Sequence, residues 1–346
     1  MMRANPLRSL SDFGQSVWLD YLGRDILESG EFSRLILDGE ITGVTSNPAI
    51  FEKAISSSRT YDAQIAVLSE DKRTPAEIVR QLIHDDVATA ADILQSTFHR
   101  SNGLDGLVSV EVSPYFANSA EKTVRDARRI WNSLDRPNVL IKVPATRAGL
   151  LAMEQLLSEG INVNATLLFD PFRCREVAQA YFDAITQRRA AGLPLESVIS
   201  VASIFVSRID TKLDSLIHEH SVSAEETGGS VGRGALATAR LAYEQLRIMH
   251  AGEEFQHLAQ HGARPQRIVW ASTSVKNRAY PDTKYIEGLV GPGTIVTIPP
   301  ETLKAYRDHG APEISLPGSI DDAQSVIKGI ENLGIDLPTV YADLER

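Results

Sequence analysis

The sequence predicts an α/β fold: a (β/α)8 TIM barrel with additional helices, residues 1–346 forming a single domain. Three observations lead there. Eight short apolar or alternating runs recur along the chain, each of strand length. Nearly every run is followed by a stretch of helical period, the rhythm of a closed parallel barrel rather than an open doubly wound sheet. Polar residues also sit in or just after seven of the runs, at positions that would line the interior of a barrel and its C-terminal mouth. The 346 residues would suggest two domains by length alone, but α/β barrels of this size are often single units.

Residues 1–15 are polar and read as a loose lead-in. Ser16–Gly23 (SVWLDYLG) reads as the first strand, with Asp20 inside it, and residues 24–39 as a helix carrying Ile26, Leu27, Phe32, Leu35 and Ile36. Ile41–Phe51 (ITGVTSNPAIF) is the second strand, ending at Ser46, Asn47 and Pro48; Ser56, Ser57 and Ser58 mark a loop. Thr74-Pro75-Ala76-Glu77 is a capping box with proline at the first helical position. Val79, Ile83, Val87, Ala90 and Leu94 follow at helical spacing, up to Asn102-Gly103. Leu107–Pro114 (LVSVEVSP) alternates as the third strand and sets Glu111 among valines; Ser119–Leu134 is a helix.

The fourth strand, in NVLIKVP, is a continuous apolar run of the kind buried on both faces, interrupted by one cation, Lys142. Pro144 stops its ladder, and Thr146 can cap a helix that starts near Arg147 and runs to Gly160. A buried ammonium is costly unless paired or neutral. An amine in an apolar pocket can be neutral at pH 7, although a free one titrates near about 10.4, and a neutral amine attacks ketones and aldehydes. Lys142 is therefore a candidate Schiff-base former. The competing reading is a strand-end lysine whose head snorkels to water.

Ile161–Phe169 (INVNATLLF) is the fifth strand, with Asn164 and Thr166, followed by a helix over Asp170–Ala191. That helix holds the single cysteine, Cys174, read as a structural thiol, so no disulfide forms within the chain. Val198–Asp210 (VISVASIFVSRID) is a sixth strand running into a helix, with Ser203 and Arg208. Residues 218–234 are polar and turn-rich and read as a loop or extended connection. Arg267–Asn277 is the seventh strand, ending at Ser272, Ser274 and Lys276; Gly293–Pro300 is the eighth. ETLKAYRDHG follows as a helix, and a last helix covers about Asp321 to Leu333. One polar residue in a strand is usually a satisfied core group. Asp20, Asn47, Glu111, Lys142, Asn164, Thr166, Ser203 and Ser274, spread over seven strands, fit a site better.

A net charge of −10 argues against nucleic acid or an anionic membrane as partner, while leaving room for a local cationic pocket for phosphate. No run of about 18 apolar residues and no apolar signal core is present, so a cytoplasmic location is expected. His218-Glu219-His220 is not a metal-binding helix motif, and no metal site is expected. Gly232-Arg233-Gly234-Ala235 resembles a phosphate loop only in part, lacking its strand and its lysine-serine pair. No dinucleotide fingerprint follows the first strand, and Ser203 has no hydrolase elbow around it.

The stretch Gly43-Val44-Thr45-Ser46-Asn47-Pro48-Ala49-Ile50-Phe51 resembles the signature of the transaldolase family. Val139–Leu156, with Lys142, Thr146, Gly149 and Leu156, resembles that family's Schiff-base segment. VNATLLF, ASIFVSR and ASTSVKN continue the likeness from about Ser16 to Leu333, and EVSPYFA and KNRAYPDTKYIEGLVGPGTIVTIPP resemble its longer bacterial subgroup. The resemblance implies transfer of a dihydroxyacetone unit from a ketose phosphate to an aldose phosphate, without metal or organic cofactor. The expected pair is sedoheptulose 7-phosphate and glyceraldehyde 3-phosphate, giving erythrose 4-phosphate and fructose 6-phosphate in the pentose phosphate pathway. By the same resemblance Lys142 forms the Schiff base and Asp20 is the acid/base carboxylate. Glu111 and Thr166 hold a water, Asn47 and Asn164 bind substrate hydroxyls, and Ser203 lines the pocket. Arg208 and Ser274 contact phosphate. Lys276 stands where much of the family has arginine, supplying charge without a bidentate fork. A homodimer is in keeping with the family. Two other readings use the same residues: a fructose 6-phosphate aldolase-type lyase that releases free dihydroxyacetone, and a non-catalytic sugar-phosphate-binding barrel.

Overall fold

The computed structural model of the chain describes residues 5–220, 229–316 and 320–345. Eight parallel strands form a closed barrel in chain order: β1 (Gln15–Asp20), β2 (Gly43–Thr45), β3 (Leu107–Glu111), β4 (Val139–Pro144), β5 (Val163–Leu168), β6 (Ser200–Phe205), β7 (Arg267–Ala271) and β8 (Thr294–Ile298). Helices surround it, so the predicted (β/α)8 class is the observed one.

Period-two alternation splits the strand residues into two populations. Val17, Leu19, Val44, Val108, Val110 and Ile141 belong to the large core between barrel and helices. Trp18, Leu107, Leu140, Val201, Val269 and Ile295, of the opposite parity, pack together as a separate apolar cluster inside the ring. Full burial of each such side chain is worth roughly 1.5–3 kcal/mol. This cluster makes a floor. The next inward positions towards the strands' C-terminal ends are Asp20, Thr45, Ser109 with Glu111, Lys142, Asn164 and Ser203, so the interior changes from apolar to polar within one step along several of the strands. Gly43 makes the floor possible. It is in register with Trp18, and a Cβ there would lie 2.5 Å from the Trp18 indole Nε1 and 2.9 Å from the Leu107 carbonyl oxygen.

Local signals set several helix starts. The Thr74 hydroxyl accepts from the Glu77 N–H (3.4 Å) and the Glu77 carboxylate accepts from the Thr74 N–H (2.8 Å), opening the helix Pro75–Arg100. Thr146 caps Arg147–Glu159 by accepting from the Gly149 N–H at 3.0 Å.

Several boundaries differ from expectation. The predicted lead-in contains a helix, Pro6–Asp12, with Leu7 and Leu10 buried; the Asn5 side chain caps it, accepting from the Leu7 N–H. Residues 24–39 form two helices, Arg24–Glu28 and Glu31–Leu37, broken at Ser29 and Gly30. The second strand is only Gly43–Thr45, because Asn47 and Pro48 start a helix, Pro48–Ser57, which also takes in Ser56 and Ser57 of the expected loop. Within 218–234, His218–His220 complete the helix Ser207–His220 and Gly234 opens the helix Gly234–Ala251; residues 221–228 lie outside those described. A further helix, Leu337–Glu345, follows Ile320–Asn332. Cys174 is buried, and burial pushes its thiol pKa up.

Replacing Gly43 with alanine forces a methyl into the Trp18 layer. Gly43→Ala is expected to lower stability by about 1–3 kcal/mol, read as a lower urea midpoint at unchanged m-value. An unchanged midpoint would contradict the close packing of this layer.

Candidate active site

Lys142 lies in the middle of β4, in register with Glu111 on β3 and Asn164 on β5, so the three side chains share one level of the interior. Lys142 is only 6 % exposed although flanked by fully buried Ile141 and Val143. Its Nζ donates to the Ser46 carbonyl oxygen at 3.2 Å and lies 3.6 Å from Glu111 Oε2. The Ser46 carbonyl reaches the amine because β2 ends one residue earlier and the Ser46 N–H is tied to the Ser109 carbonyl of β3.

Across the interior, the Ser203 hydroxyl donates to Asn164 Oδ1 (2.7 Å) and Asn164 Nδ2 donates to the Ser109 hydroxyl (2.9 Å). This chain links β6, β5 and β3 over the top of Leu140. Asp20 ends β1 at the same mouth. Burial pushes its pKa up, opposed by the positive charges of Lys142 and Lys276. Thr166 is buried in register with Pro144, and its hydroxyl has no hydrogen-bond partner among the described residues. The backbone just beyond it is irregular. Leu167 has φ +62°, and the β5–β6 register shifts between Ala165 and Leu168. This bulge leaves Thr166 at an inward position while Leu168 turns out into the helix-facing core beside Ile204.

Asn47 follows β2, and its Oδ1 accepts from the Ile50 N–H at 3.0 Å as the cap of Pro48–Ser57. Arg208, in the first turn after β6, is exposed with its guanidinium carbon 5.4 Å from the centre of the Phe205 ring. Phe205 in turn meets Phe169 at 5.8 Å. Ser274 and Lys276 lie beyond the end of β7, with Lys276 Nζ donating to the Ser274 hydroxyl at 2.6 Å. Among the described residues no group of three His, Cys, Asp or Glu side chains is placed to hold a metal ion, and no helix is long and apolar enough to cross a membrane.

Residues 17–346 match the family model described as transaldolase/fructose-6-phosphate aldolase. The chain belongs to that family. A transaldolase of Mycobacterium tuberculosis is 44 % identical over 349 residues, covering 100 % of this chain and 93 % of the relative. A transaldolase of Mycobacterium marinum is 44 % identical over 97 % of this chain and 91 % of the relative, and Transaldolase 1 of Streptomyces coelicolor 44 % over 99 % and 90 %. The chain is thus an enzyme of the class that transfers aldehyde or ketone groups.

The sequence-predicted residues of this family member fall into two sets. Lys142, Glu111, Asn164, Ser203, Thr166 and Asp20 line one end of the barrel interior, and Asn47 stands at its rim. Arg208, Ser274 and Lys276 sit on the loops after β6 and β7; Ser274 and Lys276 touch, and no direct contact joins them to Arg208. Two participants were not anticipated. Ser109 shares the parity of Glu111 in LVSVEVSP, a signal the alternation carried. The Ser46 carbonyl is a main-chain group that no side-chain pattern announces.

The direction of the Asp20 shift has a consequence. Its folded pKa lies above the usual 3.8, so the folded chain holds this proton more tightly than the unfolded one, and stability falls as pH rises through that interval. Asp20→Asn is expected to raise Tm at pH 7, the gain shrinking as pH approaches about 4, in thermal unfolding followed by circular dichroism. A gain that grows on acidification would contradict the burial argument.

Proposed function

We propose that this chain is a transaldolase that works through a Schiff base on Lys142. The observation that carries the reading is a buried primary amine inside the barrel, with Glu111 at 3.6 Å and the Asp20 carboxyl at the same mouth. Lys142 Nζ, once it has given up its proton, attacks the C2 ketone of the donor; the carbinolamine loses its oxygen as water, and a protonated imine results. A water held between Glu111 and Thr166 carries the protons of that exchange. The imine nitrogen then accepts the electron pair of the C3–C4 bond while Asp20 takes the C4 hydroxyl proton, and the aldose phosphate leaves. The enamine that remains adds to the aldehyde of the acceptor, Asp20 returns the proton, and hydrolysis frees Lys142.

A carboxyl group desolvated enough to bind a proton firmly, yet facing two cations, suits a group that must alternate between both forms. Asn164, oriented by Ser109 and Ser203, and Asn47, whose carbonyl is engaged in a helix cap, offer amide donors to the hydroxyls of the three-carbon unit. Arg208, Ser274 and Lys276 take the phosphate. Sedoheptulose 7-phosphate and glyceraldehyde 3-phosphate are the proposed pair. Such phosphorylated sugars are confined by a lipid bilayer, and we place the enzyme with them in the cytoplasm.

Borohydride treatment with fructose 6-phosphate should leave a stable adduct on Lys142, found by peptide mass analysis, and Lys142→Met should give none. Glu111→Gln should slow adduct formation by on the order of 10²–10⁴-fold. With fructose 6-phosphate alone, turnover should be negligible until erythrose 4-phosphate is added. Steady release of free dihydroxyacetone without acceptor would identify a lyase instead, and absence of any adduct a mere binding barrel.

A further inference from the structure

The connection from β7 to β8, residues 272–293, has only one turn of helix, Lys284–Glu287, among the described residues. It therefore has no amphipathic helix to dock against the barrel. Its later part is anchored by Tyr285, Ile286, Leu289 and Val290 in the core, and a cluster of polar side chains on the helix Ser207–His220 ties it down as well. Asp210 is 1 % exposed; its Oδ2 accepts from Lys284 Nζ (2.7 Å) and from the Tyr285 hydroxyl (2.9 Å), and its Oδ1 from the Ala235 N–H (2.7 Å). One turn later, Asp214 accepts from the Tyr280 hydroxyl (2.6 Å) and from the Gly232 N–H (2.7 Å). Lys284 Nζ also lies 3.7 Å from the centre of the Tyr280 ring.

Gly232 completes the arrangement. It has φ +71°, and a Cβ there would fall 2.6 Å from the Tyr280 ring. The Gly-Arg-Gly-Ala stretch is thus a backbone socket for Tyr280 and the Asp210 carboxylate. At its start the same connection is fixed independently. The Ser207 N–H donates to the Ser272 carbonyl (3.1 Å), the hydroxyls of Ser207 and Ser272 are 2.9 Å apart, and the Thr273 hydroxyl donates to the Thr297 carbonyl (2.6 Å). The short stretch between the two anchors carries Ser274 and Lys276. The helix that supplies the second anchor carries Arg208, two residues before Asp210.

We propose that Asp210, Asp214, Tyr280 and Lys284 form a clamp that sets where Ser274 and Lys276 stand relative to Arg208, and so tunes the enzyme for phosphorylated sugars. They are positioning residues: none lies among the groups assigned to the reacting carbons. The clamp rests on the reading of Arg208, Ser274 and Lys276 as phosphate contacts.

The test uses the full-length enzyme and two clamp variants, Tyr280→Phe and Lys284→Met. Each is expected to raise KM for fructose 6-phosphate about tenfold, the scale of one charge-assisted hydrogen bond. The kcat and the rate of borohydride-trappable adduct formation with dihydroxyacetone, which carries no phosphate, should stay within about twofold of the parent. Lys284→Arg, which keeps the charge, should restore KM. Should Lys284→Met fail to fold, Tyr280→Phe still decides. Parallel losses in kcat and in dihydroxyacetone trapping at unchanged KM would reduce the cluster to a structural staple. A KM at the parent value in both clamp variants while Lys276→Met raises it would overturn the clamp alone. If Lys276→Met and Arg208→Met both leave KM unchanged, the phosphate assignment itself has failed and takes the clamp with it.

Discussion

A single amine carried by an otherwise apolar strand constrains much of this interior. β4 is buried on both faces, and Lys142 can sit there only if the neighbouring strands supply polar company. They do so at its own level: Glu111 and Asn164 are its register partners, and the end of β2 brings the Ser46 carbonyl against Nζ. Asn164 then needs partners of its own, found in Ser109 and Ser203. The polar level of the barrel is thus a chain of mutual satisfactions that begins at one nitrogen, and the apolar level beneath it keeps that network from reaching the other end of the ring.

The barrel was legible because its strands are short, β-branched and alternating, and because each polar interior residue breaks its run at one parity. Glu111 among valines and Lys142 between Ile141 and Val143 can be placed from the sequence alone. The helix Pro6–Asp12 is hard to read although its Asn5-Pro6 start is a capping signal, since Pro6, Leu7 and Leu10 alone carry its buried face. The pattern of the second strand runs on past its true end because Asn47-Pro48 fits a strand's end as well as the helix's beginning that it is. The anchoring of the connection after β7 is not legible in the sequence. The connection has no period, and its anchors join residues far apart in the chain, Tyr280 to Asp214 and Lys284 to Asp210.

Two of the five non-glycine residues with left-handed φ among the described residues lie at the same mouth. Leu167 after Thr166, and Ser272 after β7, both hold left-handed φ without being glycine. Such a conformation costs an L-residue roughly 1–2 kcal/mol. At Leu167 the bulge lets two successive side-chain demands, an inward Thr166 and an outward Leu168, be met on one strand. At Ser272 the turn brings the side-chain hydroxyl to that of Ser207.

The floor of Trp18, Leu107, Leu140, Val201, Val269 and Ile295 makes the proposed reaction chamber a blind tube. Whatever enters must leave by the door it came through. A departing aldose phosphate and an arriving one would compete for the same berth, so the first has to be gone before the second can be seated. On the proposed Schiff-base route the two half-reactions would then alternate in time as a ping-pong cycle, with the three-carbon fragment waiting on Lys142 in between.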